Sequence, residues 1–294
     1  MPARSLTLSL AYHPPFRWDE LLAFLGKRAV RGVEEVNGQA YRRSISIGRA
    51  AGIVEIRPES GGANAVRVSF AGIGPALLGQ AVRRVRRMLD LDADPLAIAA
   101  HLKRDKRLRP LVTDAPGMRL PLTWDPFEAV VRAVLGQQIS VAGAITIAGR
   151  LAERYGRPLG GGGTITRVFP GPAELAGTDI SSLGVPASRA RTLVAASRAI
   201  LNGKLRFDGT PKPEELENDL LGIPGIGPWS AHYIFLRGLG EPDAFPESDL
   251  GIRKALDALG YPSQRAQRRE AIALLSPWRG YAAIYFWKAM TAGG

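Results

Sequence analysis

Residues 220–256 read LLGIPGIGPWSAHYIFLRGLGEPDAFPESDLGIRKAL, and the rest of the chain can be interpreted outward from this stretch. Its PGIG segment, at residues 224–227, separates two helical patterns, because proline and glycine interrupt regular structure. Glycine can also adopt a positive φ and bring the backbone close to a ligand. Gly227-Pro228 then begins an aromatic-rich helix, whose first amides and positive dipole end suit a phosphate. PGIG alone is equally typical of a tight turn between two core helices.

One of the acids after this hairpin opens another helix. Asp249 lies about 22 positions after Gly227 and precedes a helical pattern formed by Leu250, Ile252 and Leu256. Aspartate is strongly preferred at the N-cap of a helix, because its carboxylate accepts hydrogen bonds from the free amides there. By itself the position therefore predicts a cap, and a chemical role for Asp249 needs support from the hairpin beside it.

The composition points to a polyanionic partner. The chain has 294 residues, 46% of them hydrophobic, and a formal net charge of +12. It contains no cysteine, which excludes disulfides, thiol catalysis and a Cys-ligated iron–sulfur cluster, and its three scattered histidines argue against a zinc site. No apolar run is long enough for a signal peptide or a membrane span, so we expect a cytoplasmic protein without a membrane partner.

The pattern of the first 92 residues predicts one α+β unit, in which turn residues separate the strands and helices. Four arginines between residues 83 and 87 predict a solvated basic helix face. The predicted strands lie at 5–10 and within 33–70, and the predicted helices at 18–30 and 76–91.

From residue 93 onward the patterns are helical. Asp94-Pro95 opens a helix that is followed by a predicted loop at 109–121, and two helices within 124–155 are broken near Gly136. The tetraglycine at 160–163 predicts a surface loop. The remaining predicted helices lie at 172–176, 181–183, 187–201, 211–221, 250–259, 264–275 and 278–290.

Hairpin, loop and acid together resemble the helix-hairpin-helix DNA glycosylases, in which a Gly/Pro-rich loop and one catalytic aspartate follow the hairpin. Within that superfamily, the segments PGIGPW, PESD and PWRGY, with their spacing, are most similar to the bacterial 3-methyladenine DNA glycosylase II family. The resemblance extends over essentially the whole chain. It implies an α+β fold, with an N-terminal mixed antiparallel sheet-and-helix domain at 1–92 followed by two mostly helical domains. One helical domain would span 124–241 and carry the helix-hairpin-helix, the other would combine 93–123 with 242–294, and the active-site cleft would lie between them.

The resemblance also implies roles for individual residues. Asp249 matches the catalytic acid, and Trp229, Tyr233 and Trp287 match the aromatic base pocket. Gln138 matches the wedge that fills the space of a flipped base, although some relatives have an apolar residue there. The main chain around the hairpin would contact a DNA phosphate and hold a structural Na⁺ or K⁺. The DNA backbone residues would be Gly225, Gly227 and Ser230, and the cation carbonyls those of Leu221, Ile223 and Ile226.

The implied reaction suits these residue types. An N3- or N7-alkylated purine is a positively charged leaving group, and an aromatic face attracts a cation by ~0.5–2 kcal/mol. Positive charge moves to the sugar as the C1′–N bond breaks, and a nearby carboxylate stabilises it. For Asp249, the roles of electrostatic partner and of base for the attacking water both stay open. Taken singly, Trp229, Tyr233 and Trp287 are each more typical of core packing than of a base pocket.

Trp229 occupies the position where relatives of the endonuclease III type carry a lysine nucleophile. The resemblance therefore implies a monofunctional enzyme, which removes 3-methyladenine or 7-methylguanine from double-stranded DNA after base flipping, leaves an abasic site and needs no catalytic cofactor. We expect a monomer. Two alternatives stay open: a glycosylase for oxidised or deaminated bases, and a non-catalytic DNA-binding hairpin module in which Asp249 is only a cap.

Overall fold

The N-terminal part is built on a five-stranded antiparallel sheet with the strand order β1-β5-β4-β3-β2. The computed structural model describes residues 5–160, 163–208 and 212–291. Two helices accompany the sheet, and the buried side chains of both helices share one core with those of the strands. These elements are β1 (Leu6–Ala11), α1 (Trp18–Gly26), β2 (Glu34–Asn37), β3 (Ala40–Ile47), β4 (Ala50–Pro58), β5 (Ala65–Ala71) and α2 (Pro75–Met88).

Every element that follows in the described residues is a helix or helical turn, joined by loops, so the predicted α+β class is confirmed. Four of the helices are capped by an acid or serine whose side chain accepts a hydrogen bond from a free backbone amide of the first turn. These caps are Asp94, Asp125, Ser140 and Asp249. A 3₁₀ turn spans Ser181–Leu183. The helices are α3 (Pro95–Leu102), α4 (Arg109–Asp114), α5 (Pro126–Gly136), α6 (Val141–Tyr155), α7 (Pro172–Leu175), α8 (Ala187–Leu201), α9 (Pro213–Leu221), α10 (Pro228–Ile234), α11 (Leu250–Ala258), α12 (Arg265–Ala273) and α13 (Arg279–Thr291).

Two hydrophobic cores organise the fold. One belongs to the sheet with α1 and α2, and the other is continuous through the helical part and includes side chains from α5, α10, α11 and α13. Val30 and Val33, which precede β2, already belong to the helical core. The division of the helical part at 124–241 stays a prediction, because one apolar core runs through both of its predicted halves.

Two expectations were wrong. The predicted loop at 109–121 begins with the short helix α4, which has only six residues and so shows no apolar period in the sequence. The arginine run of α2 is not a purely solvated face, because Arg84, Arg86 and Arg87 donate to carbonyl oxygens of Ser46, Ala11 and the loop before α5. Arginine reaches such distant carbonyls by burying its aliphatic stem.

Some expectations fall on residues outside the described ranges. These are the centre of the tetraglycine, at 161–162, and the start of the predicted helix at 211–221, where the described helix α9 begins at Pro213. Within the described ranges, no helix combines the length and apolarity that a bilayer crossing needs.

Candidate active site

The hairpin between α9 and α10 depends on one glycine. Gly225 has φ of +92°, and a Cβ at this position would lie 2.1 Å from Oγ1 of Thr192 in α8. The Thr192 hydroxyl donates to the carbonyl oxygen of Pro224 at 2.8 Å, and Ile226 N donates to Ile223 O at 3.0 Å. The turn is therefore fitted against α8, and it requires glycine for both its φ and the close approach.

The start of α10 is different in character. Gly227 is extended, with φ of −101° and ψ of −179°, a conformation open to any residue. The Ser230 side chain is only 2% exposed, and its Oγ accepts a hydrogen bond from Nε2 of Gln137 at 3.0 Å. The Ser230 hydroxyl therefore faces the interior and is not available to DNA. The predicted DNA contact of Ser230 would have to be made by its backbone.

Asp249 is both a helix cap and the centre of a polar cluster. Its Oδ1 accepts from Ile252 N at 3.1 Å and from Trp287 Nε1 at 3.0 Å. Its Oδ2 accepts from Trp229 Nε1 at 3.0 Å. Two indoles from different helices thus hold a half-buried carboxylate in one orientation, and Gly251 leaves room for this, since a Cβ there would lie 3.3 Å from Cδ1 of Trp287.

The predicted aromatic residues converge beside that carboxylate. The ring centroids of Trp229 and Tyr233 are 5.5 Å apart, and those of Tyr233 and Trp287 are 6.4 Å apart. All three side chains are half-buried. On α13, Tyr281 and Ile284 are each 3% exposed and belong to the helical core. The apolar stripe of α13 is therefore core packing, while Trp287, one turn further on, reaches the edge of the cluster.

Three residues of the cluster were missed by the sequence analysis. Phe24 of α1 stacks on Trp287 with centroids 6.3 Å apart. The guanidinium of Arg28 lies 3.7 Å from the Phe24 ring centroid, and that of Arg237 lies 4.7 Å from it on the side of Tyr233. A cavity of about 70 Å³ adjoins Phe24, Arg28 and Trp287. No local motif marks these positions, because α1 reaches the cluster only through the tertiary packing.

The two arginines make the inner wall of the cluster cationic. Arg237 is 3% exposed and donates to the carbonyl oxygen of Pro121 and to the Tyr233 hydroxyl. Burial, together with repulsion from Arg237, lowers the pKa of Arg28 to about 10, and burial lowers the pKa of Arg237 as well. Both groups still carry their positive charge at neutral pH.

Gln138 lies apart from the aromatic cluster. It is exposed, has φ of +52° and follows the end of α5. Its neighbour Gln137 donates a hydrogen bond from its side-chain amide to the carbonyl oxygen of Gly225 at 2.8 Å. This bond connects the turn that carries Gln138 with the hairpin. The geometry is that of a polar side chain on a strained, projecting turn.

The predicted cation ligands lie on the hairpin. The side chains of Ile223 and Ile226 are 6% and 4% exposed and pack in the core, whereas Leu221 is exposed. The donor set that they provide consists of neutral carbonyl oxygens, which suit a hard cation of low charge. Among the described residues, no group of three or more His, Cys, Asp or Glu side chains forms a metal site.

Two family models match the chain. Residues 7–125 match the AlkA N-terminal domain, and residues 131–279 match the HhH-GPD superfamily base excision DNA repair protein. The first match covers the sheet-containing part together with α3 and α4, and the second begins within α5 and ends at the first residue of α13.

Similar proteins are found among curated sequences. The DNA-3-methyladenine glycosylase 2 of Escherichia coli is 33% identical over 95% of this chain and 96% of its own length. The probable bifunctional transcriptional activator/DNA repair enzyme AlkA of Mycobacterium tuberculosis is 41% identical over 98% of this chain. The chain spans 58% of the length of that second relative.

Solved structures share the fold at lower identity. The 3-methyladenine DNA-glycosylase from Archaeoglobus fulgidus superposes with a TM-score of 0.83 at 22% identity, covering 97% of this chain and 98% of that one. The 8-oxoguanine glycosylase/lyase of Clostridium acetobutylicum, in complex with double-stranded DNA, superposes with a TM-score of 0.74 at 22% identity and covers both chains completely.

Proposed function

The chain belongs to the HhH-GPD superfamily of base excision DNA repair proteins, with an AlkA N-terminal domain, and from that premise we propose that it is a monofunctional DNA glycosylase for alkylated purines. The observation that carries the proposal is the Asp249 carboxylate, held by the indoles of Trp229 and Trp287. A carboxylate fixed in this way beside aromatic faces suits the cleavage of a bond between a sugar and a flipped base.

The reaction is a hydrolysis at C1′ of the deoxyribose. The C1′–N bond breaks with its electrons passing to the cationic purine, which leaves as a neutral base, and water adds to C1′ and loses a proton. Asp249 stabilises the positive charge that develops on the sugar. Its Oδ2 accepts only the Trp229 indole N–H among the protein groups described, so this oxygen retains capacity to orient the attacking water.

The base occupies the space between Tyr233, Trp287 and Phe24 in this proposal. The ring centroids of Phe24 and Tyr233 lie 6.3 and 6.4 Å from that of Trp287, which is contact distance, so the rings have to separate before a planar base enters between them. Extrusion of the base from the duplex costs a few kcal/mol and is easiest for damaged pairs. Gln138 then fills the space and hydrogen-bonds the orphaned partner base.

DNA is held mainly through its phosphates. The net charge of +12 predicts affinity that falls with salt and depends little on sequence. The backbone at Gly225, Gly227 and Ser230 contributes a phosphate contact, and carbonyl oxygens of Leu221, Ile223 and Ile226 hold Na⁺ or K⁺ beside it. The cation part is tested separately by exchanging K⁺ for tetramethylammonium at constant ionic strength, which we expect to weaken DNA binding; unchanged binding removes the cation from the proposal.

The enzyme leaves an abasic site without cutting the strand. Trp229 occupies the position where relatives of the endonuclease III type carry a lysine nucleophile. Its indole N–H donates a hydrogen bond to Asp249. An amine near the abasic carbon would form a Schiff base that borohydride reduces to a covalent protein–DNA adduct. We expect no such adduct, and a trapped one would contradict the monofunctional assignment.

One observation favours a second candidate, a glycosylase for deaminated purines. Arg28 and Arg237 place two cations at the wall of the pocket, where they oppose a cationic base. A neutral purine leaves with negative charge, which guanidinium groups stabilise. The electron-rich rings and the arginines therefore favour different substrates, and the balance between them sets the substrate range.

The deciding experiment compares release of bases by the wild type and by Asp249→Asn. Methylated DNA and a duplex containing inosine are each incubated with both proteins, and DNA binding is measured alongside. Release of 3-methyladenine that is lost in Asp249→Asn, with binding retained, supports the first function. Release from the inosine duplex alone supports the second. Tight binding without release from any substrate, including 8-oxoguanine duplexes, leaves a non-catalytic DNA-binding module.

A further inference from the structure

Four charged side chains are buried together where the sheet meets α5. Glu34 and Arg43 face each other in the register of β2 and β3, and Glu128 and Arg132 come from α5. Arg43, Glu34 and Glu128 are 1%, 8% and 2% exposed. Arg43 Nη2 donates to Glu128 Oε2 at 2.7 Å, and Arg132 Nε donates to Glu128 Oε1 at 2.9 Å. Since Glu34 pairs with both arginines, the four residues form a neutral cluster, the buried quartet.

The buried quartet is a poor source of stability. Removing four charges from water is unfavourable, and apolar side chains of similar volume often stabilise a core as well or better. Burial opposes ionisation of Glu34, but Arg132 and Arg43 outweigh it and lower the pKa of Glu34 to about 2. Glu34 is therefore ionised at neutral pH, and what the quartet provides is a set of directed bonds that allow one arrangement of their partners.

Two of those bonds hold the backbone that follows α1. Arg132 Nη1 donates to the carbonyl oxygen of Arg28 at 3.0 Å, and Glu34 Oε2 accepts from Val30 N at 2.9 Å. This segment follows directly on Phe24, which stacks on Trp287 at the candidate active site. The quartet thus connects α5, in the helical part, to the one helix of the N-terminal part that contributes to the base pocket.

We propose that Arg132 and Glu34 are positioning residues, which hold the backbone at residues 28–30, directly after α1, so that Phe24 and Arg28 close one wall of the base pocket. This inference rests on the proposed glycosylase function. It gives the N-terminal part a direct place in substrate recognition, although neither residue of the pair touches the base. A wall displaced by about 1 Å is enough to impair a reaction that depends on orientation.

The first test needs no substrate. Arg132→Lys keeps the positive charge but loses the planar fork that reaches Glu34, Glu128 and the Arg28 carbonyl together. We expect hydrogen exchange of residues 18–30 to become about tenfold faster in this variant. Val68→Ala is the control, because Val68 is fully buried in the same sheet and its truncation lowers stability through the core. If residues 18–30 of Arg132→Lys exchange hydrogen at the same rate as in the wild type, the proposal is overturned.

The second test is a double-mutant cycle with Phe24→Leu. Arg132→Lys alone should lower kcat/KM for a methylated purine about tenfold, without changing binding to a duplex that carries an abasic-site analogue. In the Phe24→Leu background it should add little, since the wall that it positions is already incomplete. Equal losses in both backgrounds mean a structural role only and overturn the proposal. Glu128→Gln replaces Arg132→Lys in both tests if the latter does not fold.

The two proposals fail in different ways. A wild-type protein that releases no base, while residues 18–30 respond to Arg132→Lys as expected, refutes the glycosylase function and still supports the positioning of α1 by the quartet. If the wild type releases the base but the losses of kcat/KM in the double-mutant cycle are additive, the glycosylase function stands and the positioning role is refuted.

Discussion

The two sides of the proposed base pocket are assembled from different kinds of sequence. On the hairpin side, Trp229, Tyr233 and Asp249 come from one stretch of about 20 residues. On the N-terminal side, Phe24 comes from a helix about 200 residues earlier, and Arg28 from the turn directly after that helix. The hairpin side carries the carboxylate, which is oriented by a local helix cap and by Trp229, and also by the indole of Trp287 from the distant helix α13. The N-terminal side supplies shape and charge, and in our proposal its position depends on the bonds from the buried quartet to the backbone after α1.

The largest expected effect lies on the hairpin side. Asp249→Asn and Asp249→Ala should each lower base release at least about 100-fold, because both remove the charge that stabilises the sugar cation. Only Asp249→Ala should also lower the free energy of unfolding, by about 1 kcal/mol, since asparagine still caps α11. Single-turnover release and urea denaturation measure the two effects. Substantial release by Asp249→Asn would mean that the cap is the residue's whole contribution.

The hairpin should also be sensitive to a single methyl group. Gly225→Ala combines a positive φ with a clash against Thr192 and should destabilise the protein by roughly 2–3 kcal/mol and weaken DNA binding. The double variant Gly225→Ala/Thr192→Ser keeps the hydroxyl, and so the clash with it, and should not recover. Gly225→Ala/Thr192→Ala removes it and should recover part of the stability. Gly227→Ala is the matched control with a small effect, since a Cβ there meets nothing within 4 Å.

The turn after α2 should be pH-sensitive. Asp90, in this turn, accepts a hydrogen bond from the Tyr281 hydroxyl of α13 at 2.7 Å, and burial raises the pKa of this carboxyl to about 6. The folded state then binds a proton more tightly than the unfolded one, so this group makes stability fall as pH rises from about 4 to 7 and contributes no slope above that.

Replacing Asp90 by asparagine tests that slope. Asp90→Asn should remove a pH dependence of about 1–2 kcal/mol in the free energy of unfolding between pH 4 and 6. Urea denaturation at several pH values measures it, with Asp92→Asn as the control, since Asp92 is exposed and pairs with Arg86 at the surface. An unchanged slope in Asp90→Asn would place the titrating group elsewhere.

The smallest expected effect concerns selectivity. Arg28→Met should raise the ratio of 3-methyladenine release to hypoxanthine release roughly threefold to tenfold, because one cation that opposes a cationic base is removed. Arg31→Met is the control: it removes the same charge at an exposed position and should weaken DNA binding alone. Equal ratios in the two variants would show that Arg28 does not face the base.

Much of the fold could be predicted from the sequence, because caps and apolar periods are local signals. α8 spans Ala187–Leu201 as expected, and α5 and α6 are separated after Gly136 as expected. α4 was missed because six residues are too few to show a period. The buried quartet was missed for another reason: charged residues, here in two short strands and on α5, are typical of a solvated face, and only tertiary packing buries them.

The sequence by itself determined the order of most elements, the hairpin, the spacing from the hairpin to Asp249 and the family resemblance. Each of these depends on the identity and spacing of residues that are close together in the chain. The tertiary structure alone decided that Asp249 is a cap and an indole-bound carboxylate at once, that Ser230 faces inward, and that Phe24, Arg28 and Arg237 border the site. Backbone hydrogen bonding and apolar periodicity act over a few residues, whereas the convergence of side chains depends on how helices distant in the chain pack together.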